Sequence, residues 1–139
     1  MNKIVIIVFY DKRSGKVLSE KRPVDDKYYP NELIFPGETM EQYEKGDIVK
    51  TIYRGVKEEF EVKPVVFISL GQKPLISSKG NKKLYPFLVT KWKGILPKIV
   101  VDNGNPLIWQ TFEEASESSI PTRSQIVNLV KDHLALQSL

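Results

Sequence analysis

The chain has 139 residues, 41% hydrophobic and 27% charged, a length and composition that suit one globular domain with a core large enough to stand without covalent staples. Cysteine is absent and histidine occurs once, at His133. This excludes a disulfide scaffold, a zinc ribbon and a thiol nucleophile, and leaves little material for a multi-histidine metal site or a Ser/His triad. The formal charge is +4, from 21 Lys+Arg against 17 Asp+Glu, and no apolar run reaches membrane-spanning length.

Lys3–Tyr10 (KIVIIVFY) is β-branched and aromatic and predicts a central strand. Asp11–Gly15 punctuates as a turn, and Val17–Arg22 is expected to return as a hairpin partner. Pro23–Asn31 suits a loop, and Glu32–Phe35 a short strand ended by Pro36–Gly37. Ile48, Ile52, Val56 and Phe60 recur every four residues and predict an amphipathic helix, with Val49 and Tyr53 beside the stripe. Asp47 is its expected start and Pro64 its expected stop. Val65–Leu70 and Leu84–Trp92 are strand-like, Pro86 marking the latter as an edge or bulge. Ile99–Val101 is a further short strand candidate, and Asp102–Pro106 (DNGNP) is dense in turn chemistry. Leu107–Thr111 leads into Phe112–Ser116, and Pro121–Leu136 predicts a second long helix with Ile126, Leu129, Val130, His133 and Leu134 on one side. Strands, a helix, more strands and a terminal helix indicate a mixed sheet packed by helices.

Two features carry chemistry. Between Lys63 and Val101 there is no acid but eight lysines, a field that attracts an anionic ligand such as a phosphate ester. No nucleic-acid recognition motif accompanies it, so nucleic acid is not the expected partner. On the first helix Glu58 and Glu59 are adjacent, with Glu61 close by and Arg54 one turn before Glu58. Adjacent carboxylates repel, and a hard divalent cation such as Mg²⁺ relieves that repulsion.

Phe35-Pro36-Gly37, Glu44-Lys45-Gly46-Asp47 and Arg54-Gly55-Val56-Lys57-Glu58-Glu59-Phe60-Glu61-Val62 together resemble the Nudix hydrolase box. That box is a Gly, five residues, a Glu, seven residues, then R-E-U-x-E-E-x-G-U, where U is aliphatic. Glu20-Lys21-Arg22-Pro23, Leu33-Ile34-Phe35-Pro36-Gly37 and Leu107-Ile108-Trp109 with Phe112-Glu113-Glu114-Ala115 resemble flanking segments of the family. The resemblance runs over roughly Lys3 to Leu134 and has four departures. Gly37 to Asp47 is longer than the box spacing, and Asp47 to Arg54 is one residue short. Gly55 stands where the box has Glu, and Glu61 where it has Gly.

The resemblance implies an α/β Nudix fold over residues 1–139, a mixed sheet sandwiched between helices (α/β/α). It also implies a Mg²⁺- or Mn²⁺-dependent pyrophosphohydrolase that cleaves a nucleoside diphosphate linked to another moiety. Glu58 and Glu59 would be metal ligands, with the Gly37 carbonyl, and Asp47 would stand in for the earlier acid. Arg54 would orient the cluster, and Asp102 is a candidate late-loop acid. Glu38, Glu41 and Glu44 are further acids whose reach the sequence leaves open. Arg22, Tyr28, Tyr85 and Trp109 are candidate substrate contacts, with Tyr29, Phe87, Lys82 and Lys83 beside them. Because Gly55 removes a carboxylate that completes the metal site or serves as base in many family members, a binding module for a nucleotide or protein is the alternative. The expected setting is cytoplasmic, with a nucleotide-type small molecule as partner and no membrane; a homodimer stays open.

Overall fold

The structure is a computed structural model and describes residues 2–138. Strand β1 (Asn2–Asp11) lies at the centre of an eight-stranded mixed sheet. It runs parallel to β7 (Lys82–Lys93), in register from Asn2↔Lys82 to Phe9↔Val89. Its other edge is divided. The first half pairs antiparallel with β4 (Gly37–Thr39), and the far end with β2 (Lys16–Lys21). Strands β3 (Leu33–Ile34) and β8 (Leu107–Gln110) flank β2, while β5 (Lys63–Ser69) and β6 (Leu75–Ile76) pair with β7.

Period-two alternation along β1 assigns its two faces. Val5, Ile7 and Phe9 pack against Ile52, Val56 and Phe60 of α1 (Ile48–Phe60). Ile6, Val8 and Tyr10 face Ile126, Val127 and Val130 of α3 (Pro121–Gln137). The sheet is thus held between the two long helices, as expected. Ile52, Val56 and Phe60 are fully buried; each contributes on the order of 1.5–3 kcal/mol of burial. Phe9 meets the Phe60 ring edge-on at 5.0 Å and the Trp92 ring at 5.4 Å. A short helix α2 (Phe112–Ser116) opens with a capping box between Thr111 and Glu114.

Three expectations are corrected. Helix α1 ends at Glu61, which adopts a left-handed conformation (φ 54°), and Pro64 lies inside β5, next to a register shift. Pro86 is in a central strand, not at an edge. Its carbonyl accepts from Leu70 N–H, and it falls between the Ser69↔Phe87 and Leu75↔Leu84 pairs, where β5 has ended and β6 has not begun. Its missing N–H coincides with the break between the two strands. Ile99–Val101 forms only an isolated bridge, Ile99 to Pro106. Among the described residues no helix is long and apolar enough to cross a membrane.

Candidate active site

The pairing of β4 with β1, Ile6↔Gly37 to Ile4↔Thr39, lays Gly37, Glu38 and Thr39 alongside α1. Glu38 crosses the helix at Gly55. A Cβ placed on Gly55 would stand 2.8 Å from Glu38 Cγ and 3.0 Å from its Cβ, closer than any side chain could be tolerated. The absent side chain of residue 55 is the space that the Glu38 side chain fills.

Arg54 organises this corner. Its Nη1 donates to Glu38 at 2.8 Å and to Glu58 at 3.3 Å. Nη2 donates to Glu44 at 2.9 Å and to the Thr39 carbonyl at 2.8 Å, and Nε donates to Glu44 at 3.3 Å. Glu44 is 2% exposed, and its other hydrogen bond, from Glu41 N–H, closes a capping box around the 3₁₀ turn Gln42–Glu44. The Arg54 hydrogen bonds hold the Glu44 carboxyl below its ordinary value. The same bonds, those to Glu44 first, raise Arg54. Glu58 remains mostly exposed, at 58%.

Glu59 lies on the inner side of the pair. Burial and the facing carboxyl of Glu38, within hydrogen-bonding reach, push it up to about 9, and Asp102 and Glu20 add to the rise. The loop that carries Asp102 is anchored at Glu59, where Val101 N–H donates to the Glu59 carbonyl at 2.9 Å. Glu20, 3% exposed, accepts from Arg22, Asn103 and Asn105.

Glu59, Gly37 and Thr39 border a cleft of about 330 Å³ on the α3 side of the sheet. Ile6, Phe35, Leu84 and Ile126 give it apolar walls, and Arg22, Tyr28, Lys82 and Arg123 also line it. Lys82, Lys79 and Lys27 stand 4.5, 5.1 and 5.3 Å from the centre of the Tyr28 ring. Two lysines of the acid-free stretch therefore gather at Tyr28, and Glu20, Asp26 and Glu59 also line the cleft.

Of the residues singled out in the sequence, Gly37, Arg54, Glu58, Glu59 and Asp102 come together at one corner, and Arg22 and Tyr28 line the adjoining cleft. Arg22 is already paired, to Glu20 and Asp26, each at 2.7 Å. Asp47 does not join them. It is exposed and caps α1, accepting from the Val49 and Lys50 N–H groups, and the earlier acid that meets Arg54 is Glu44. Tyr85 and Trp109 point to the opposite face, where they pack against the α1-side core, Trp109 stacked on Trp92 at 6.5 Å. Glu38 and Glu44 are the acids whose reach only the structure resolves. Arg123 was hidden altogether, a cation at a helical position flanked by polar residues, yet only 3% exposed.

Among the described residues no set of three or more His, Asp or Glu side chains converges to cage a cation. What the corner offers is a carboxylate pair beside the Gly37 backbone. That donor set fits Mg²⁺, which keeps several waters and binds through one or two carboxylates together with substrate phosphates.

No protein-family model matches the chain, and no curated protein matches it either. Solved structures do. The chain is similar to the Nudix domain of Shewanella oneidensis NrtR, solved in complex with ADP-ribose. The TM-score is 0.72 at 13% identity, covering 95% of this chain and 87% of that one. It is similar to an ADP compounds hydrolase, with TM-score 0.71, 16% identity and coverage of 98% and 74%. It is also similar to a MutT Nudix hydrolase from Burkholderia pseudomallei, with TM-score 0.68, 15% identity and coverage of 92% and 98%. The class is thereby defined: the chain has the α/β Nudix fold.

Proposed function

We propose that the protein is a Mg²⁺- or Mn²⁺-dependent pyrophosphohydrolase that cleaves a nucleoside diphosphate linked to another moiety. The observation that carries this reading is the set of carboxylates gathered beside Gly37, with Arg54 holding Glu38 and Glu58, on a cleft that Glu59 and Lys82 both line. Glu59, Glu58 and the Gly37 carbonyl are the candidate holders of the ion. The bound ion would neutralise phosphate charge and activate a water at neutral pH.

The chain's own residues account for the remainder. Lys82, Lys79 and Lys27 attract the anionic substrate, and the apolar walls and Tyr28 receive its nucleoside. Arg54 holds Glu38 and Glu58 in fixed directions, so that the corner is ordered before substrate arrives. In the reaction the water oxygen bonds to phosphorus and the bridging P–O bond breaks. The proton of the water passes to a carboxylate, for which Asp102 is the exposed candidate close to Glu59. The ADP-containing ligand and the hydrolase named among the similar structures accord with this reading.

Phosphate release from a panel of nucleoside triphosphates, dinucleotides and nucleotide sugars, after phosphatase treatment, tests the reading. Turnover with Mg²⁺ or Mn²⁺ that vanishes in Glu58→Gln and Glu59→Gln is expected. Folded wild-type protein that turns over none of the panel would overturn hydrolysis and favour a nucleotide- or protein-binding module.

A further inference from the structure

We propose that positions 38 and 55 have exchanged side chains relative to the box, so that Glu38 delivers from β4 the carboxylate that Gly55 removes from α1. This inference rests on the pyrophosphohydrolase reading and adds a residue to the same site.

The first observation is one of register. Arg54 holds Glu44 through two of its nitrogens, which identifies Glu44, not Asp47, as the acid that precedes the Arg in the box. Counting back across the five residues Thr39–Tyr43 brings the opening glycine of the box to position 38. There this chain has Glu. The residue after Arg54, where the box has Glu, is Gly. The two departures are opposite in sense. The nine residues from Lys45 to Tyr53, in place of seven, are absorbed in the turn through Lys45 and Gly46, both left-handed.

The second observation is steric and independent of any count. Positions 38 and 55 touch: the Glu38 chain passes where the Cβ of residue 55 would be, 2.8 Å from Cγ. With Glu38 in place, a side chain at position 55 meets its Cγ and Cβ, and one of the two must shift. Glu at both positions would collide, and Gly at both would leave a void and two fewer carboxylate oxygens around Arg54. One Glu and one Gly satisfy the space in either order.

The third observation concerns where the carboxylate ends. Glu38 Oε1 accepts from Arg54, and Oε2 lies 3.4 Å from the position of a Gly55 Cβ. The same Arg54 Nη1 that donates to Glu38 at 2.8 Å donates to Glu58 at 3.3 Å, so the carboxyl ends beside the acids of α1. A group in that position is a ligand or a support for an ion held by Glu59, and it also fills the hole above Gly55. Replacing its charge while keeping its shape separates the two roles. Gln at position 38 still fills the space and still offers an oxygen to Arg54.

Mn²⁺ binding, read by the electron paramagnetic resonance of the free ion, tests the proposal on wild type, Glu38→Gln, Glu59→Gln, Gly55→Glu and the exchanged pair Glu38→Gly/Gly55→Glu. Circular dichroism melts are recorded beside it. Glu38→Gln should melt like wild type and bind Mn²⁺ about 10–100-fold more weakly. Gly55→Glu should melt lower than wild type, and the exchanged pair should recover both melting temperature and Mn²⁺ affinity. Mn²⁺ affinity that falls in Glu59→Gln but is unchanged in Glu38→Gln overturns the exchange and leaves the hydrolase reading intact. An exchanged pair that melts no higher than Gly55→Glu also overturns it. Wild-type protein that binds no Mn²⁺ overturns the exchange and the metal-dependent reading together.

Discussion

Arg54 and Arg123 are both largely withdrawn from solvent, yet they keep opposite company. Arg54 is enclosed by the carboxylates of Glu44, Glu38 and Glu58. Arg123 donates only to neutral oxygens, those of Ser19, Gln110 and the Ala115 carbonyl, and its guanidinium lies 4.3 Å from the centre of the Phe35 ring. The consequences differ in sign. The acids around Arg54 bind its proton more firmly, whereas burial pulls Arg123 down to about 10, offset only in part by Glu32. Arg123 Nη1 is buried and finds no hydrogen-bond partner among the described residues. A charge neutralised inside the fold serves the fold. Arg123 borders the cleft with a buried, unsatisfied donor, which an anion entering the cleft meets only if the side chain turns toward it.

The largest test of this contrast is Glu44→Ala. Removing the buried Glu44 carboxylate leaves Arg54 Nε and the Glu41 N–H without their acceptor, at a cost of about 1–3 kcal/mol for each unsatisfied group, and urea denaturation measures it. The effect is also pH-dependent. The Glu44 carboxyl sits below its ordinary value of 4.5, so its stabilisation is present above that pH and is lost as pH falls through the lower folded value. Wild type should therefore lose stability steeply below pH 4.5, and Glu44→Gln should flatten that slope. An unchanged slope would mean that Glu44 is not the acid that Arg54 depends on.

Arg123→Met is the counterpart in the other region. No carboxylate is stranded, so the fold should lose much less than in Glu44→Ala. Binding should change instead. For ADP, as the nucleoside diphosphate part of the proposed substrate, losing a hydrogen bond from a charged donor removes about 1.5–3 kcal/mol, or about ten- to a hundredfold in affinity. Isothermal titration calorimetry measures it. Equal affinity for ADP in wild type and variant would show that the free donor of Arg123 does not meet the ligand.

These two corners also mark how far the sequence could be read. The strand at β1, the stripe of α1 and the apolar side of α3 follow from periodicity, which is a local property. The Glu58–Arg54 contact follows from helical spacing. Glu44 and Glu38 could not be chosen from the acids at 38, 41, 44 and 47, because the choice depends on how β4 docks on β1 and on a turn two residues longer than the box. Gly55 read as a loss since the side chain that fills its space comes from another element. Tyr85 was misread for a related reason: alternation along β7 was visible, but not which face carried the cleft. Arg123 was unreadable, for its burial depends on Ser19 and Gln110 meeting across β2 and β8.

The smallest expected effect sharpens the boundary of the Arg54 corner. Asp47 and Glu44 both precede α1, and either could occupy the acid position of the box by sequence. The structure gives Asp47 a different task, accepting from the first free N–H groups of the helix at Val49 and Lys50, 3.1 and 3.4 Å away. Such a cap is worth about 1 kcal/mol, and the negative charge adds a favourable interaction with the helix end. Asp47→Ala should therefore lower stability by about 1 kcal/mol, and Asp47→Ser, which retains a capping oxygen without the charge, should recover most of it. Neither should alter Mn²⁺ affinity, because the side chain is exposed and turned toward the helix backbone. A fall in Mn²⁺ affinity in Asp47→Ser with the fold intact would extend the metal corner beyond Gly37, Glu38, Glu58 and Glu59. An unchanged affinity confines it to the residues that β4 and the end of α1 bring together.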